Sequence, residues 1–222
     1  MRVTQHFHRE IEELRRRLLS LGAQVEAQVH NALTAIETKD REFCNHLIET
    51  DDEINRMEIR VEEECLKILA LYQPVATDLR FLVATIKINN DLERIADIAA
   101  SIANRVLIIS RYPEIKAPSI RLDEMGEKVE GMLSLGLNAF VQVDSDLAHK
   151  VCILDDEVDE IRNQAYGTIK RAIREHPEHV APLMNYFLIS RHLERLADHV
   201  TNIAEEVIYL VDGQIVRGER FN

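Results

Sequence analysis

The sequence LERIAD at residues 92–97 returns as LERLAD at residues 193–198, an offset of 101 residues. The acidic triplet DDE at residues 51–53 also returns, at residues 155–157, with an offset of 104. Two halves that share the order, the spacing and the motifs of their segments are hard to obtain by chance. The sequence therefore predicts an internal duplication, whose second copy is three residues shorter between its second and third helices.

Apolar residues follow the helical period along most of the chain, which predicts long helices. In the first half we expect helices at about residues 4–38, 40–70 and 76–109, with Asp40 as an N-cap and a break at Gln73-Pro74. The second half repeats the pattern. The inward stripes of the two third helices are Leu92, Ile95, Ala99, Ile102, Val106 and Ile109, and Leu193, Leu196, Val200, Ile203, Val207 and Leu210.

The predicted fold class is all-α, as two tandem three-helix bundles, because short connections make consecutive helices antiparallel neighbours. The 222 residues contain only seven glycines, five prolines and no tryptophan, which are fewer turn residues and aromatics than a sheet protein needs. We expect the first bundle at residues 1–110 and the second at residues 119–222. The linker at residues 111–118 contains two prolines, which stop helix propagation.

The charge balance argues against a nucleic-acid partner. Lys and Arg total 27 and Asp and Glu total 39, so the formal net charge is −12, whereas a nucleic-acid binder needs a cationic face. No apolar run approaches the roughly 18 residues of a membrane span, so we expect membrane contact only peripherally, through partners. The three cysteines, Cys44, Cys65 and Cys152, form no CxxC pair and indicate reduced thiols in a cytoplasmic protein.

Carboxylates at helical spacing form four motifs, two in each half. Residues four apart stack on one face of a helix, so both side chains of a motif can reach one cation. Acidic groups in line with an apolar stripe are costly unless they are paired or bind a metal, and oxygen-rich sites suit iron, zinc, manganese, magnesium or calcium. The candidate metal ligands are Asp51 with Asn55, Glu93 with Asp97, Asp155 with Asp159, and Glu194 with Asp198.

Salt bridging is the alternative explanation of these motifs, because Glu93 and Glu194 are each followed by an arginine. Asn55 replaces an acid, so we expect the first site to be the weaker one, although an amide carbonyl can also bind a cation. His192 and His199 are further candidates to assist a metal. The sequence contains no phosphate loop, no ExxH pair and no recognisable nucleophile–base pair, so it gives no support for an enzyme.

The duplicated unit, with its LERIAD and LERLAD motifs, resembles the PhoU family, whose members regulate phosphate-specific transport and phosphate signalling in bacteria. The resemblance runs from about Phe7 to Leu210 and includes QPVATDLR at residues 73–80 and NIAEEVIYL at residues 202–210. It implies a fold of two tandem three-helix bundles. It also implies a role as a regulator that acts through contacts with other proteins.

The resemblance further implies cofactors and partners. Some members bind multinuclear iron or zinc clusters through E(D)xxxD motifs, which fall here on the four motifs given above, with Asn55 as the one departure. The implied partners are the ATPase of the phosphate ABC transporter and the sensor histidine kinase of the phosphate regulon. The implied effect is negative regulation when phosphate is plentiful.

Three functions stay open on the sequence alone. The first is a signalling adaptor of the PhoU type, which should form complexes with the transporter ATPase or the kinase. The second is a carboxylate-bridged metal-storage or metal-dependent redox protein, which should bind stoichiometric metal and turn over oxygen or peroxide. The third is a helical scaffold with salt-bridged motifs. We expect a homodimer, because exposed seams on helical bundles often associate.

Overall fold

A computed structural model describes residues 2–113, 115 and 120–216, and the described part of the chain is helical with no strand. The predicted linker at 111–118 lies partly outside the described residues. The elements are α1 (Arg2–Thr38), α2 (Arg41–Tyr72), α3 (Ala76–Ile109), α4 (Leu122–Gln142), α5 (Ser145–Glu175), a 3-10 turn (Pro177–His179) and α6 (Val180–Asp212). None of the described helices is long and apolar enough to cross a membrane.

The helix ends of the first half follow from local chemistry. Asp40 caps α2, because its Oδ1 accepts hydrogen bonds from the backbone N–H of Glu42 at 2.8 Å and of Phe43 at 3.1 Å. Gln73 ends α2 in the left-handed region at φ 46°, where its N–H bonds to the Leu69 carbonyl. Pro74 then prevents the helix from continuing. The predicted cap and break are both confirmed.

The core confirms the predicted stripes. All six residues of the α3 stripe and all six of the α6 stripe are buried. They belong to one continuous apolar core that all six helices share. The most extensive contact between two helices joins α3 to α6, one from each three-helix unit. The two predicted three-helix bundles are therefore present, and they pack against each other through their third helices.

Reciprocal contacts between α1 and α4 relate the two halves. A Cβ atom added at Gly22 would lie 2.9 Å from Leu137 Cδ2, and one added at Gly126 would lie 2.6 Å from Leu33 Cδ2. At the offset of 104, Gly22 corresponds to Gly126 and Leu33 corresponds to Leu137. In each half, the equivalent leucine thus packs over the equivalent glycine of the other half, as in an isologous interface with two-fold symmetry.

This packing gives a first prediction, on the stability of α4. Gly126→Ala should lower the free energy of unfolding by up to about 1 kcal/mol, because the new methyl group displaces the end of the Leu33 side chain and this overpacking offsets the gain in helix propensity. Gly131→Ala is the matched control, since no atom lies within 4 Å of its added Cβ. It should stabilise the protein by up to about 1 kcal/mol. Urea unfolding of both variants checks the prediction, and equal effects would contradict it.

Candidate functional site

The first-half carboxylates lie between α2 and α3. Burial, and then repulsion by Asp97 across the helix pair, raises the pKa of Asp51, while a 3.2 Å hydrogen bond donated by Gln28 Nε2 opposes this rise. Burial and the nearby Asp97 also raise the pKa of Glu93. Three of the four predicted first-half residues therefore form one acidic cluster, which α1 also contacts through Gln28.

Two oxygens of the first-half residues are buried without a hydrogen-bond partner, Asn55 Oδ1 and Glu93 Oε2. Glu93 Oε2 nevertheless lies 3.3 Å from Arg94 Nε, and Arg94 Nη1 donates a 3.1 Å hydrogen bond to Asp97 Oδ2, so a half-exposed arginine pairs with two of the predicted ligands. An unsatisfied buried polar group costs about 1–3 kcal/mol, and a hard cation beside Asn55 would give its carbonyl oxygen a partner. The orphaned Asn55 oxygen is therefore the observation that favours a cation in the first half.

A fourth acid, Glu58, joins the first-half cluster from outside the predicted motifs. Its charge contributes to the raised pKa of Glu93, and burial raises the pKa of Glu58 itself. Asn89 Nδ2 donates a hydrogen bond to Glu58 Oε1 at 2.9 Å. The sequence carried a signal for this residue, because Glu58 lies seven residues, or two helical turns, after Asp51 and shares its face of α2. The cluster thus has four acids despite Asn55.

The second-half carboxylates lie at the equivalent place, between α5 and α6. Burial, followed by repulsion from Asp198, raises the pKa of Asp155 to about 7, and Asp159 and Glu194 add to this repulsion. Burial and then Glu194 also raise the pKa of Asp198. All four predicted second-half residues therefore act on one another electrostatically.

Arg162 gives the second-half cluster a cation of its own. Its Nη2 lies 2.9 Å from Glu194 Oε1 and 3.6 Å from Asp159 Oδ1, and its side chain is only 30% exposed. Through the offset of 104, Arg162 occupies the position of Glu58 in the first half. The same place in the two clusters thus carries opposite charges. The salt-bridge explanation applies to both halves, because Arg94 pairs with Glu93 and Asp97 in the first.

The spacing of the ligand atoms is wide in both carboxylate clusters. Within the described part of the chain, only His176, Glu178 and His179 bring three ligand atoms within 4.8 Å of one another. These residues flank and form the 3-10 turn before α6. The carboxylates repel one another without a cation between them. Binding of one small ion by three of them therefore requires side chains to move inward.

The two histidines predicted to assist a metal have other surroundings. His199 Nδ1 lies 2.8 Å from Asp91 Oδ1, so this ring belongs to the contact between α6 and α3. Burial and three nearby arginines lower the pKa of His192 to about 4. Positive charges around His192 would repel a metal cation.

Comparison with known proteins places both halves in one family. Residues 18–106 and residues 122–207 each match the PhoU domain. The phosphate-specific transport system accessory protein PhoU homolog of Pseudomonas aeruginosa is 38% identical over 215 residues, which cover 97% of this chain and 89% of that protein. The match therefore includes both three-helix units and all four carboxylate motifs.

Solved structures agree with this comparison. The crystal structure of PhoU from Pseudomonas aeruginosa superposes with a TM-score of 0.91 at 38% identity, covering 94% of this chain and 100% of that one. The phosphate transport system regulatory protein PhoU from Streptococcus pneumoniae gives a TM-score of 0.84 at 32% identity, covering 95% of this chain and 99% of that one. The likeness is thus one of fold, sequence and length together.

Proposed function

The chain belongs to the PhoU family, and from this premise we propose that it regulates phosphate uptake and phosphate-regulon signalling as a non-enzymatic adaptor. It would join the ATPase of the phosphate ABC transporter to a sensor histidine kinase and reduce the kinase output when phosphate is plentiful. The observation that carries this proposal is the full-length likeness to proteins named for the phosphate transport system.

The proposed mechanism is contact between rigid helical faces. Long helices that share one continuous core move as a unit, so a partner bound to one half can affect a partner bound to the other. In this role the chain works in the cytoplasm, as a homodimer, and meets the membrane only through the transporter. Light scattering of the purified chain at several concentrations tests the dimer.

We also propose that carboxylate-bound iron or zinc is part of the protein. Asp51, Asn55, Glu58, Glu93 and Asp97 would hold the cation in the first half. The bound cation would neutralise the repelling carboxylates and fix α2 against α3. This support for metal also favours the alternative of a metal-storage or redox protein. Elemental analysis together with an oxygen and peroxide turnover assay separates the two, because metal without turnover fits the adaptor alone.

A deletion strain tests the regulatory function. Loss of the gene should raise phosphate-regulon expression in phosphate-rich medium, and the intact chain should restore repression. In parallel, the purified chain should retain the transporter ATPase and the kinase in pull-down assays. Unchanged reporter expression in the deletion strain, with no binding to either partner, would refute the adaptor.

The carboxylate motifs can be tested in the same strain. Glu93→Gln with Asp97→Asn should weaken repression if the cation orders the partner surface, whereas Arg111→Gln, an exposed control in the turn after α3, should restore repression fully. If the double variant folds normally and represses like the wild type, the motifs serve only the scaffold.

A further inference from the structure

The contact between α3 and α6 has one end where opposite charges meet, which we call the paired end. There Lys87 Nζ lies 2.8 Å from Glu206 Oε1, and the Glu206 side chain is only 6% exposed. Asp91 Oδ1 lies 2.8 Å from His199 Nδ1 and accepts a 3.2 Å hydrogen bond from Asn202 Nδ2. At this end the charges of α3 are matched by polar groups of α6.

Because the halves are related by a two-fold axis, each of these positions has an equivalent position at the other end of the contact between α3 and α6. Through the offset of 101, Lys87 corresponds to Leu188 and Glu206 corresponds to Arg105. The place of the ion pair is therefore taken by a leucine and an arginine. The partly buried Lys87–Glu206 ion pair at one end has no counterpart at the other.

By the same two-fold relation, His192 occupies the position that corresponds to Asp91. Both ring nitrogens of His192 are buried and have no hydrogen-bond partner. One of them carries a hydrogen in the neutral ring, so a buried N–H donor is left unsatisfied, which is unfavourable. The acid–histidine contact of the paired end is thus replaced by a donor without an acceptor.

Three arginines carry positive charge near this ring. Arg105 lies on α3, and Arg191 and Arg195 lie on α6 beside His192 in the sequence, and the charges of all three contribute to the lowered pKa of His192. Among the described residues, none of the three guanidiniums makes an ion pair or a hydrogen bond to a side chain, although the chain as a whole has a net charge of −12. We call Arg105, Arg191, His192 and Arg195 the open end.

The open end has the chemistry of an anion site. Arg191 and Arg195 are four residues apart on one helix, where like charges repel, and Arg105 adds a third positive charge. Guanidiniums donate bidentate hydrogen bonds to planar or tetrahedral oxyanions, and such charge-assisted bonds are the strong ones. One oxyanion would relieve the repulsion and supply the acceptor that the His192 ring lacks.

We propose that the open end binds a tetrahedral oxyanion of the phosphate or sulfate type. The anion lies against both α3 and α6, so its binding stabilises the contact between the two halves. This inference concerns a ligand site that the adaptor role does not require, and it does not rest on that role.

Calorimetric titration of the metal-free protein with inorganic phosphate tests the proposal. A chelator is needed, because a metal in the carboxylate clusters would itself bind phosphate. At a fixed ionic strength of about 0.15 M, where long-range attraction is screened, we expect one phosphate per chain, displaced by sulfate but not by chloride. Phosphate should also raise the melting temperature, since it binds the folded state only.

Variants locate the site. Arg105→Gln should weaken phosphate binding about tenfold or more, as expected for the loss of a charge-assisted hydrogen bond. His192→Leu should also weaken binding, whereas His192→Gln, which keeps an N–H donor, should restore part of it. Arg174→Gln, an exposed arginine on α5, should bind like the wild type. Circular dichroism verifies that each variant is folded.

Three results would overturn the proposal. One is the absence of saturable phosphate or sulfate binding up to about 10 mM, the weak limit of specific affinities. Another is unchanged affinity in a folded Arg105→Gln variant. The third is binding of an acidic peptide at the open end without competition from phosphate, which would make this surface a protein contact.

Discussion

Asp155→Asn should stabilise the metal-free protein at pH 8 by about 3 kcal/mol. Burial, together with the neighbouring Asp198, raises the pKa of Asp155 from its ordinary value of 3.8 to about 7. Each pKa unit corresponds to about 1.36 kcal/mol, which gives about 4 kcal/mol before the part screened by solvent is subtracted. Asparagine keeps the shape of the side chain and removes the charge that burial and repulsion disfavour.

The pH dependence has a definite sign. The folded state holds the Asp155 proton more tightly than the unfolded state does, so folding takes up a proton between about pH 4 and pH 7. The wild-type free energy of unfolding should therefore fall as the pH rises through this range, and the full penalty applies above pH 7. The raised pKa of Asp198 acts in the same direction. Asp155→Asn should flatten most of this decline.

Urea unfolding between pH 4.5 and pH 8 in the presence of a chelator measures this effect. Glu160→Gln is the matched control, because it removes a charge from an exposed position of the same helix and should change stability little. A wild-type stability that stays constant or rises with pH would contradict the prediction. So would an Asp155→Asn variant that is less stable than the wild type at pH 8.

The helices and their inward faces were predictable because both are local properties. The spacing of apolar residues determines which face of α3 is buried, and Asp40 and Pro74 mark the two ends of α2. The carboxylate motifs were predictable for the same reason, since i and i+4 share a face wherever the helix lies. Periodicity alone thus accounts for the all-α class, the repeat and the paired positions of the predicted ligands.

The differences between the two clusters required the structure. Glu58 and Arg162 lie one turn beyond the predicted motifs, and only the packing of the helices shows that both residues join the carboxylates. A comparison of the halves at an offset of 104 would have revealed the exchange of charge. It would not have shown that Arg162 reaches Glu194, because periodicity identifies a face of a helix without identifying its partner.

Contacts between the halves were equally inaccessible. Leu33 over Gly126 joins residues 93 positions apart, and Asp91 with His199 joins residues 108 apart. His199 looked like a metal candidate because it follows Asp198 in the sequence. Its short contact with Asp91, from the other half, gives this ring a structural role that no local pattern indicated.

The largest expected effect on metal affinity belongs to position 162. Arg162→Gln should raise the affinity of the second half for Mn²⁺ or Zn²⁺ at least tenfold. The guanidinium lies beside two predicted ligands, Glu194 and Asp159, at 2.9 and 3.6 Å. At about 4 Å and an effective dielectric constant of 20, two unit charges interact by about 4 kcal/mol. Removal of this charge therefore removes a repulsion that is larger than the free energy of a tenfold change in metal affinity.

Titration calorimetry and elemental analysis measure this change. Arg171→Gln, an exposed substitution on the same helix, is the control and should leave the affinity near the wild-type value. Glu93→Gln with Asp97→Asn is introduced into both proteins to remove two metal ligands of the first half. The affinity of the second half can then be measured alone. Equal affinity in the Arg162→Gln and Arg171→Gln proteins would show that the arginine does not compete with the metal.

An exchange of the two charges provides the reciprocal test. The sequence alone predicts a weaker first site because of Asn55, whereas the additional carboxylate of Glu58, at the position that Arg162 occupies in the second half, favours a tighter one. The double variant Glu58→Arg with Arg162→Glu preserves the composition and net charge of the chain. It should move the tighter metal site from the first half to the second, because the additional carboxylate moves with it. If the first half binds the metal more weakly in the wild type and the exchange leaves that order unchanged, Asn55 rather than position 58 determines the affinity.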